Sequence, residues 1–562
     1  LKSDVTVVLG GEAGQGIQTI EFILARVLKR SGFHVLSTKE YMSRVRGGSN
    51  TTTLRVGDRP VRALKNDIDL LVALDPAVID HVGGRLREDS VILADFDASH
   101  LDRKVLSVPL TAMAVEAGGE LYGNTVAVGV LTGLLDGDQE VLEEHVRGYF
   151  SRKKQEVIEH NVDAAQKGYR AGEDLRKEKG IRLSVARDEG VADRLLVNGA
   201  EAVGMGAIAG GCNFIASYPM SPSTAVLTFL ASRDEEFGIV AEQAEDEIAA
   251  VNMTLGAWYA GARAMATTSG GGFALMEEGI SLAGVLETPL VIHLAQRPGP
   301  GTGLPTRTEQ GDLELALYAG HGEFPRVILA PGTIEEAFSL AAKAFNVADR
   351  CQVPVFILTD QFTMDTYYDI SGLPLEETEA ASHIIRTEAD YLRYRITEDG
   401  ISPRGVPGFG DGLVAVDSDE HGEEGHITES AAVRTAMVEK RLRKMDQIIR
   451  DAVPPVFSGP EDFRTLLVGW GSTFHVIEEA MALSAGKKAA HLHFPQVYPL
   501  PPQARDYLDR AEKVVVIENN ATGQFGRILK IHADRKPDRS ILKYDGSPFT
   551  VEGLASALDG LG

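Results

Sequence analysis

Short apolar strands alternate with amphipathic helices in three separate stretches of the chain, and that alternation predicts an α/β protein with three domains built on parallel, helix-covered sheets. Length and composition agree. The 562 residues suffice for three or four domains. With 44% apolar and 24% charged residues, usage is that of a globular protein, which excludes disordered and fibrous classes. Residues 5–9 read as a strand, 10–16 (GGEAGQG) as a turn, and 17–30 as a helix with Ile20, Ile23, Leu24, Val27 and Leu28 at helical spacing. Strands at 34–37, 69–74 and 90–94 complete a first domain, 1–180. Its polar tail, over 151–192, reads as a helix followed by a linker. The second domain, 190–365, opens with the small-residue helix NGAEAVGMGAIAGG and strands at 213–217, 262–267, 290–295, 326–330 and 354–359. A connector, 366–455, is acidic and rich in Gly and Pro, with one charged helix at 431–450. The last domain, 456–562, has strands at 465–469 and 514–518.

Lys plus Arg number 56 against 81 Asp plus Glu, a net charge of −25. So acidic a surface repels nucleic acid and disfavours a polyanion-binding role. Two cysteines, Cys212 and Cys351, exclude a disulfide framework and any four-thiolate cluster built by this chain alone. Each reads as a core thiol rather than a redox group. No apolar run approaches the ~18 residues of a membrane span; the best, from Val126 to Leu135, is short and glycine-rich. The first residues run directly into a strand with no charged-then-apolar leader. A cytoplasmic protein with no membrane or nucleic-acid partner is the expectation.

Ligands of open parallel sheets bind beyond the carboxyl ends of the strands, and the second domain carries its unusual sequences there. One strand runs into Tyr218-Pro219-Met220-Ser221-Pro222, one into Thr268-Ser-Gly-Gly-Gly272, and one into the loop from Gln296 and Arg297 to Thr306 and Arg307. A cation beside hydroxyls suits a small anion such as a carboxylate, although plain tight turns use the same residues. Glu242, Glu245, Asp246 and Glu247 crowd the start of a helix whose Ile248, Val251, Leu255 and Trp258 mark a buried face. Acids there favour the macrodipole, so pattern alone singles out none of them. The glycine loop at 10–16 could cradle a phosphate on its backbone N–H groups, but it lacks the glycine order of a dinucleotide site. Gly410-Asp411-Gly412 mimics the start of a thiamine diphosphate–magnesium motif, yet no strand–helix unit surrounds it, and it reads as loop. His421 and His426 read as structural, so no metal site is assigned to this chain.

Longer stretches resemble a known family. NGAEAVGMGAIAGGCNFIASYPMSPST, QAEDEIAAVNMTLGAWYAGARAMATTSGGGFALMEEG and QRPGPGTGLPTRTEQGDL are similar to the pyrimidine-binding domain of the α subunit of 2-oxoacid:ferredoxin oxidoreductases. GGEAGQGI, SRVRGGS, DLLVALD and GNTVAVG resemble the family's γ part, fused ahead of α. VGWGST, FPQVYPLPP, ENNATGQFG and KYDGSPF resemble its transketolase-type C-terminal domain. The resemblance covers nearly the whole chain. It implies an enzyme that decarboxylates a 2-oxoacid on thiamine diphosphate, passes two electrons through iron–sulfur clusters to ferredoxin, and releases acyl-CoA.

By the same resemblance, Glu247 hydrogen-bonds the aminopyrimidine ring, because the family's glutamate precedes glycines nine and fourteen residues on, here Gly256 and Gly261. Pro219 would lie beside the cofactor and Tyr218 beside the substrate. Ser221 stands where the family has a threonine whose hydroxyl meets the substrate carboxylate. Arg297 matches the arginine that pairs with that carboxylate through two parallel bonds, and Thr306 a threonine lining the pocket. Gly14, Gln15, Gly16 and Arg46 are candidates for a CoA phosphate. Arg44, Arg307 and His293 are candidates for a distal carboxylate, and Glu518, Asn519, Asn520 and Gln524 for contact with another subunit. The family carries Mg²⁺ and a 4Fe–4S cluster on a β subunit, so this chain should be half of an active site within an (αβ)₂ heterotetramer. Members with this γ–α fusion often use 2-oxoglutarate, giving succinyl-CoA; pyruvate and branched-chain acids stay open, as does a non-catalytic scaffolding paralogue. A nicotinamide-dependent dehydrogenase is opposed by the glycine order. An indolepyruvate-type enzyme is opposed by the missing cysteine-rich sequence.

Overall fold

The computed structural model describes residues 2–12, 14–42, 48–97, 105–179, 181, 183–484 and 488–561. They form two compact units: Leu1–Val197 with Asp365–Gly372 and Thr550–Gly553, and Asn198–Met364 with Leu373–Phe549 and Leu554–Gly562. The fold is α/β throughout, carried on three sheets.

The first unit holds an eight-stranded sheet in the order Val105–Ser107, Leu86–Ala94, Ile68–Ala73, Asp4–Glu12, Ser49–Gly57, His34–Glu40, Tyr367–Ile370, Leu195–Asn198. The sheet is mixed rather than parallel. Ser49–Gly57, which the sequence analysis does not identify as a strand, pairs antiparallel with both Asp4–Glu12 and His34–Glu40. The apolar run from Val126 to Leu135 falls largely within the helix Gly123–Leu134, which packs on the long helix Gln155–Glu178. Glycines set their spacing. A Cβ on Gly129, Gly133, Gly168 or Gly172 would stand 2.1 to 2.3 Å from a backbone oxygen of the opposing helix. Among the described residues no helix is long and apolar enough to cross a membrane.

Tyr367–Ile370 joins the first sheet because Asp369 is the counter-charge of a buried cluster. Its carboxylate accepts from His34 Nδ1 at 2.8 Å, Val35 N at 2.9 Å and Arg194 Nε at 2.6 Å, with Arg62 beside it.

The second unit carries a seven-stranded sheet in the order Gln496–Tyr498, Val327–Leu329, Pro354–Asp360, Leu290–Gln296, Ala264–Thr268, Phe214–Ser217, Val240–Gln243; all but the first are parallel. A five-stranded sheet follows: Val456–Ser458, Ala489–His493, Thr465–Gly469, Lys513–Glu518, Arg539–Leu542. Between them the helix Ala431–Arg450 inserts Lys440 and Lys444 onto the buried carboxylate of Glu287, at 2.6 and 2.5 Å. Two cations hold that carboxyl down at about 2, against the cost of burying it. Gly410 packs on the backbone of Thr387, so the thiamine-like tripeptide is a structural turn.

Candidate active site

Phe214–Ser217, Ala264–Thr268 and Leu290–Gln296 are neighbours in the sheet and run parallel, so the loops at their carboxyl ends share one edge. The first of these loops is tied down by Ser217 Oγ, which donates to Thr267 O at 2.6 Å, and by Ser223 Oγ, which donates to Met220 O at 2.7 Å. Tyr218 stays 41% exposed, and Ser221 is exposed. The backbone oxygen of Ser221 accepts from Arg297 Nη1 at 2.7 Å, so two sequence candidates meet directly. Thr306 is buried. Its loop turns at Gly303, whose φ is +56° and whose Cβ would lie 1.8 Å from Pro298 O, a place only glycine can fill.

The four crowded acids separate by role. Asp246 is the N-cap, accepting from Ala249 N at 2.7 Å. Glu242 and Glu245 are exposed. Glu247, the first residue of the helix Glu247–Tyr259, is 3% exposed. Its Oε1 is out of solvent and takes no hydrogen bond among the described residues. The carboxyl lies against the next loop: a Cβ on Gly272 would stand 2.4 Å from Glu247 Oε1 and 2.3 Å from Thr268 Oγ1. Burial pushes this carboxyl above the usual range, Asp246 adds to the rise, and Arg297 opposes it. Burial in turn lowers the Arg297 guanidinium, while Asp312 and Glu247 hold it up.

Asp312 is the residue that sequence reasoning missed. Its Oδ2 is buried without a partner, and burial, with Glu309 adding, pushes the carboxyl up to about 7. An aspartate before a short helix reads as a cap, which is why nothing in the sequence marks it.

Other candidates fall elsewhere. His293 is no cation for a distal carboxylate. Its two nitrogens meet Thr267 Oγ1 and Thr359 Oγ1, both at 2.8 Å, and complete burial lowers it to about 3. Arg307 is half-buried against Gly546. Arg44 and Arg46 lie outside the described residues. Glu518, Asn519, Asn520 and Gln524 are engaged within their own unit. Asn519 N donates to Gln310 Oε1 and Gln524 Oε1 accepts from Glu314 N, each at 2.9 Å. Glu518 accepts from Phe525 N, Gly526 N, Asn520 Nδ2 and Trp470 Nε1. His421 is buried, its Nδ1 bonded to Asp419 O at 2.9 Å and its ring 3.9 Å from that of Tyr394. His426 is exposed. Among the described residues no three His, Cys, Asp or Glu side chains are placed to hold a metal.

In the first unit, Gly14, Gly16, Thr19, Lys39, Tyr41 and Thr52 are among the residues lining a cavity of about 290 Å³, which Glu12 and Glu40 also border. Gly16, at φ +75°, opens the helix Ile17–Arg30 with no side-chain cap. Gln15 folds back onto its own loop, its Oε1 accepting from Glu12 N at 2.8 Å.

Two family models match the chain. Residues 205–440 match pyruvate flavodoxin/ferredoxin oxidoreductase, thiamine diP-binding, and residues 6–171 match pyruvate ferredoxin/flavodoxin oxidoreductase. The alpha subunit of 2-oxoacid:ferredoxin oxidoreductase 2 from Aeropyrum pernix is 31% identical, over 99% of this chain and 97% of its own length. The 2-oxoglutarate synthase subunit KorA of Archaeoglobus fulgidus is 35% identical, over 65% of this chain and 98% of its own. A solved 2-oxoglutarate:ferredoxin oxidoreductase from Magnetococcus marinus, with 2-oxoglutarate, coenzyme A and succinyl-CoA bound, superposes with a TM-score of 0.92 at 29% identity, covering all of both chains. Similar end to end to an alpha subunit above 30% identity, the chain belongs to the 2-oxoacid:ferredoxin oxidoreductase family as the alpha subunit of a multi-subunit enzyme.

Proposed function

We propose that this chain supplies the acid and the substrate arginine for CoA-dependent oxidation of 2-oxoglutarate: 2-oxoglutarate plus CoA gives succinyl-CoA, CO₂, a proton and two electrons, the electrons going to ferredoxin. The observation that carries the proposal is the unpartnered, buried Oε1 of Glu247 at the carboxyl edge of the sheet. An orphaned buried oxygen is costly unless something completes it. A carboxyl that burial pushes upward suits a proton shared with a ring nitrogen, so Glu247 fits thiamine diphosphate. That group, when bound, accepts the electron pair released as the bond between the carboxylate and the oxo carbon breaks.

Glu247 would hold the shared proton, with Asp246 keeping the helix start in place. Pro219 and Tyr218 would form the wall beside the cofactor and substrate. Arg297, anchored through Ser221 O, would present its guanidinium to the substrate carboxylate, joined by the Ser221 hydroxyl and by Thr306. In the first unit, the N–H groups of Ile17 and Gln18 at the start of the uncapped helix, with Lys39 across the cavity, would take a CoA phosphate. With two cysteines, both buried, this chain cannot build a four-thiolate cluster, so a 4Fe–4S cluster would belong on a β chain, which would also bring Mg²⁺ and the other half of the site in an (αβ)₂ assembly. The helix of Glu247 leaves Ile248, Met253 and Gly256 uncovered, a face suited to that chain. A cytoplasmic location accords with oxygen-sensitive clusters.

The test is anoxic, CoA-dependent viologen reduction by this chain with its β partner on 2-oxoglutarate, pyruvate and 2-oxoisovalerate. Turnover on 2-oxoglutarate that is lost in Glu247→Ala and Arg297→Ala supports the proposal. Preference for another acid overturns the substrate. Activity that survives Glu247→Ala overturns the assignment of the acid, and no turnover on any of the three identifies a non-catalytic paralogue.

A further inference from the structure

Asp312 stands immediately before the helix Leu313–Leu317. An aspartate there ordinarily turns its carboxylate onto the N–H of the second or third helical residue. This one does not. The N–H of Glu314 donates instead to Gln524 Oε1 at 2.9 Å, from more than two hundred residues away. The backbone N–H of Asp312 is itself held by Gln296 Oε1 at 3.0 Å. Its carboxyl faces the other way, onto the Ser269-to-Gly272 turn, where a Cβ on Gly270 would stand 2.5 Å from both oxygens. Oδ2 is out of solvent and unpartnered, and so are Ser269 Oγ in the turn and Glu247 Oε1 across it. Three orphaned oxygens thus bracket one turn, and Arg297 acts on both of the acids.

We infer, resting on the 2-oxoacid proposal above, that Asp312 is a substrate-binding residue whose carboxyl O–H donates a hydrogen bond to the same carboxylate that Arg297 pairs with. Capping is excluded because Gln524 performs it, and a structural ion pair is excluded because, among the described residues, no cation lies within ion-pair distance. A group facing an incoming carboxylate helps only if it brings a proton, since two carboxylates side by side repel. The charged neighbours agree: burial and Glu309 push Asp312 up to about 7, Arg297 opposes them, Glu247 faces the same turn, and Glu314 is turned away onto Arg527. The donor is therefore present below pH about 7 and is lost as pH rises through that value.

The test is steady-state kinetics of the assembled enzyme between about pH 6 and 9, a range that spans the change in protonation. In Asp312→Ala the KM for the 2-oxoacid rises about tenfold or more, the worth of a hydrogen bond to a charged group, while kcat changes far less. Wild-type KM climbs above neutral pH. Asp312→Asn keeps an N–H donor, recovers most of the KM lost in Asp312→Ala, and abolishes the climb. Infrared difference spectra of the unliganded complex show a protonated-carboxyl band at neutral pH that Asp312→Asn removes. An unchanged KM in Asp312→Ala, beside a raised KM in Arg297→Ala, overturns this inference alone. An unchanged KM in both overturns the site on which it rests. An Asp312 still ionised at about pH 6, below the value that burial gives it, overturns the donor role.

Discussion

Glu247 and Glu287 are both buried glutamates of the second unit, and they are treated in opposite ways. Glu287 lies between Lys440 and Lys444, and the paired charges hold it down at about 2. Glu247 has an oxygen with no partner, and burial raises it. A buried acid whose charge is answered within the chain is part of the architecture, here fastening the helix Ala431–Arg450 to the end of the helix Glu277–Leu286. A buried acid left unanswered is a place the fold keeps open for something else, and its desolvation lowers stability in return for reactivity.

Mutations at the two positions should therefore separate activity from stability. The largest effect is expected at Glu247: Glu247→Gln lowers kcat by at least about 10²-fold while the melting temperature of the purified chain, followed by calorimetry, hardly moves. Equal loss of stability would break the contrast. Next comes Glu287→Gln, which leaves two buried ammonium groups uncompensated and costs about 3–5 kcal/mol in urea unfolding. The pH dependence follows from the lowered carboxyl. Its contribution is complete above the unfolded value of 4.5 and is lost as pH falls toward about 2, so mutant and wild type differ constantly at neutral pH and converge in acid. Gly272→Ala tests the boundary between the two behaviours, since its methyl would press on Glu247 Oε1. A stability loss of about 1–3 kcal/mol with displacement of the carboxyl, read as reduced kcat, is expected. The smallest effect is at Ser221→Thr, where the added methyl stiffens the rotamer. There KM for the oxoacid should fall by no more than about threefold, measured beside wild type in the same dye assay.

Much of the fold is legible where order is local. The helices Ile17–Arg30 and Ala431–Arg450 and the strand Thr465–Gly469 fall where periodicity places them. Ser49–Gly57 is not legible because its threonines at 51–53 read as polar, although they are buried in the sheet. Tyr367–Ile370 is hidden for a different reason: its partner strand, His34–Glu40, lies more than three hundred residues earlier. The site divides similarly. Arg297 and the Tyr218–Ser221 loop were visible as unusual residues at strand ends. Only the family resemblance sets Glu247 apart from its three acidic neighbours, because spacing does not tell a cap from a buried acid. Asp312 was invisible because Gln524, which takes over its capping bond, is joined to it only by the tertiary fold.

The late arrival of Asp369 bears on how the chain is made. When the ribosome has finished the first 197 residues, His34–Glu40 is paired on one side only, and Arg194 has yet to meet the Asp369 carboxylate that it reaches at 2.6 Å in the finished fold. At about 5–20 residues per second, that carboxylate emerges roughly 10–35 s later. For that interval an open strand edge is exposed on the nascent chain, the condition under which strands pair with the wrong partner. A gene fragment ending near residue 197 would make that interval permanent. Expressed alone it should be recovered in aggregates, and adding back a peptide that spans the strand Tyr367–Ile370 should restore part of its solubility.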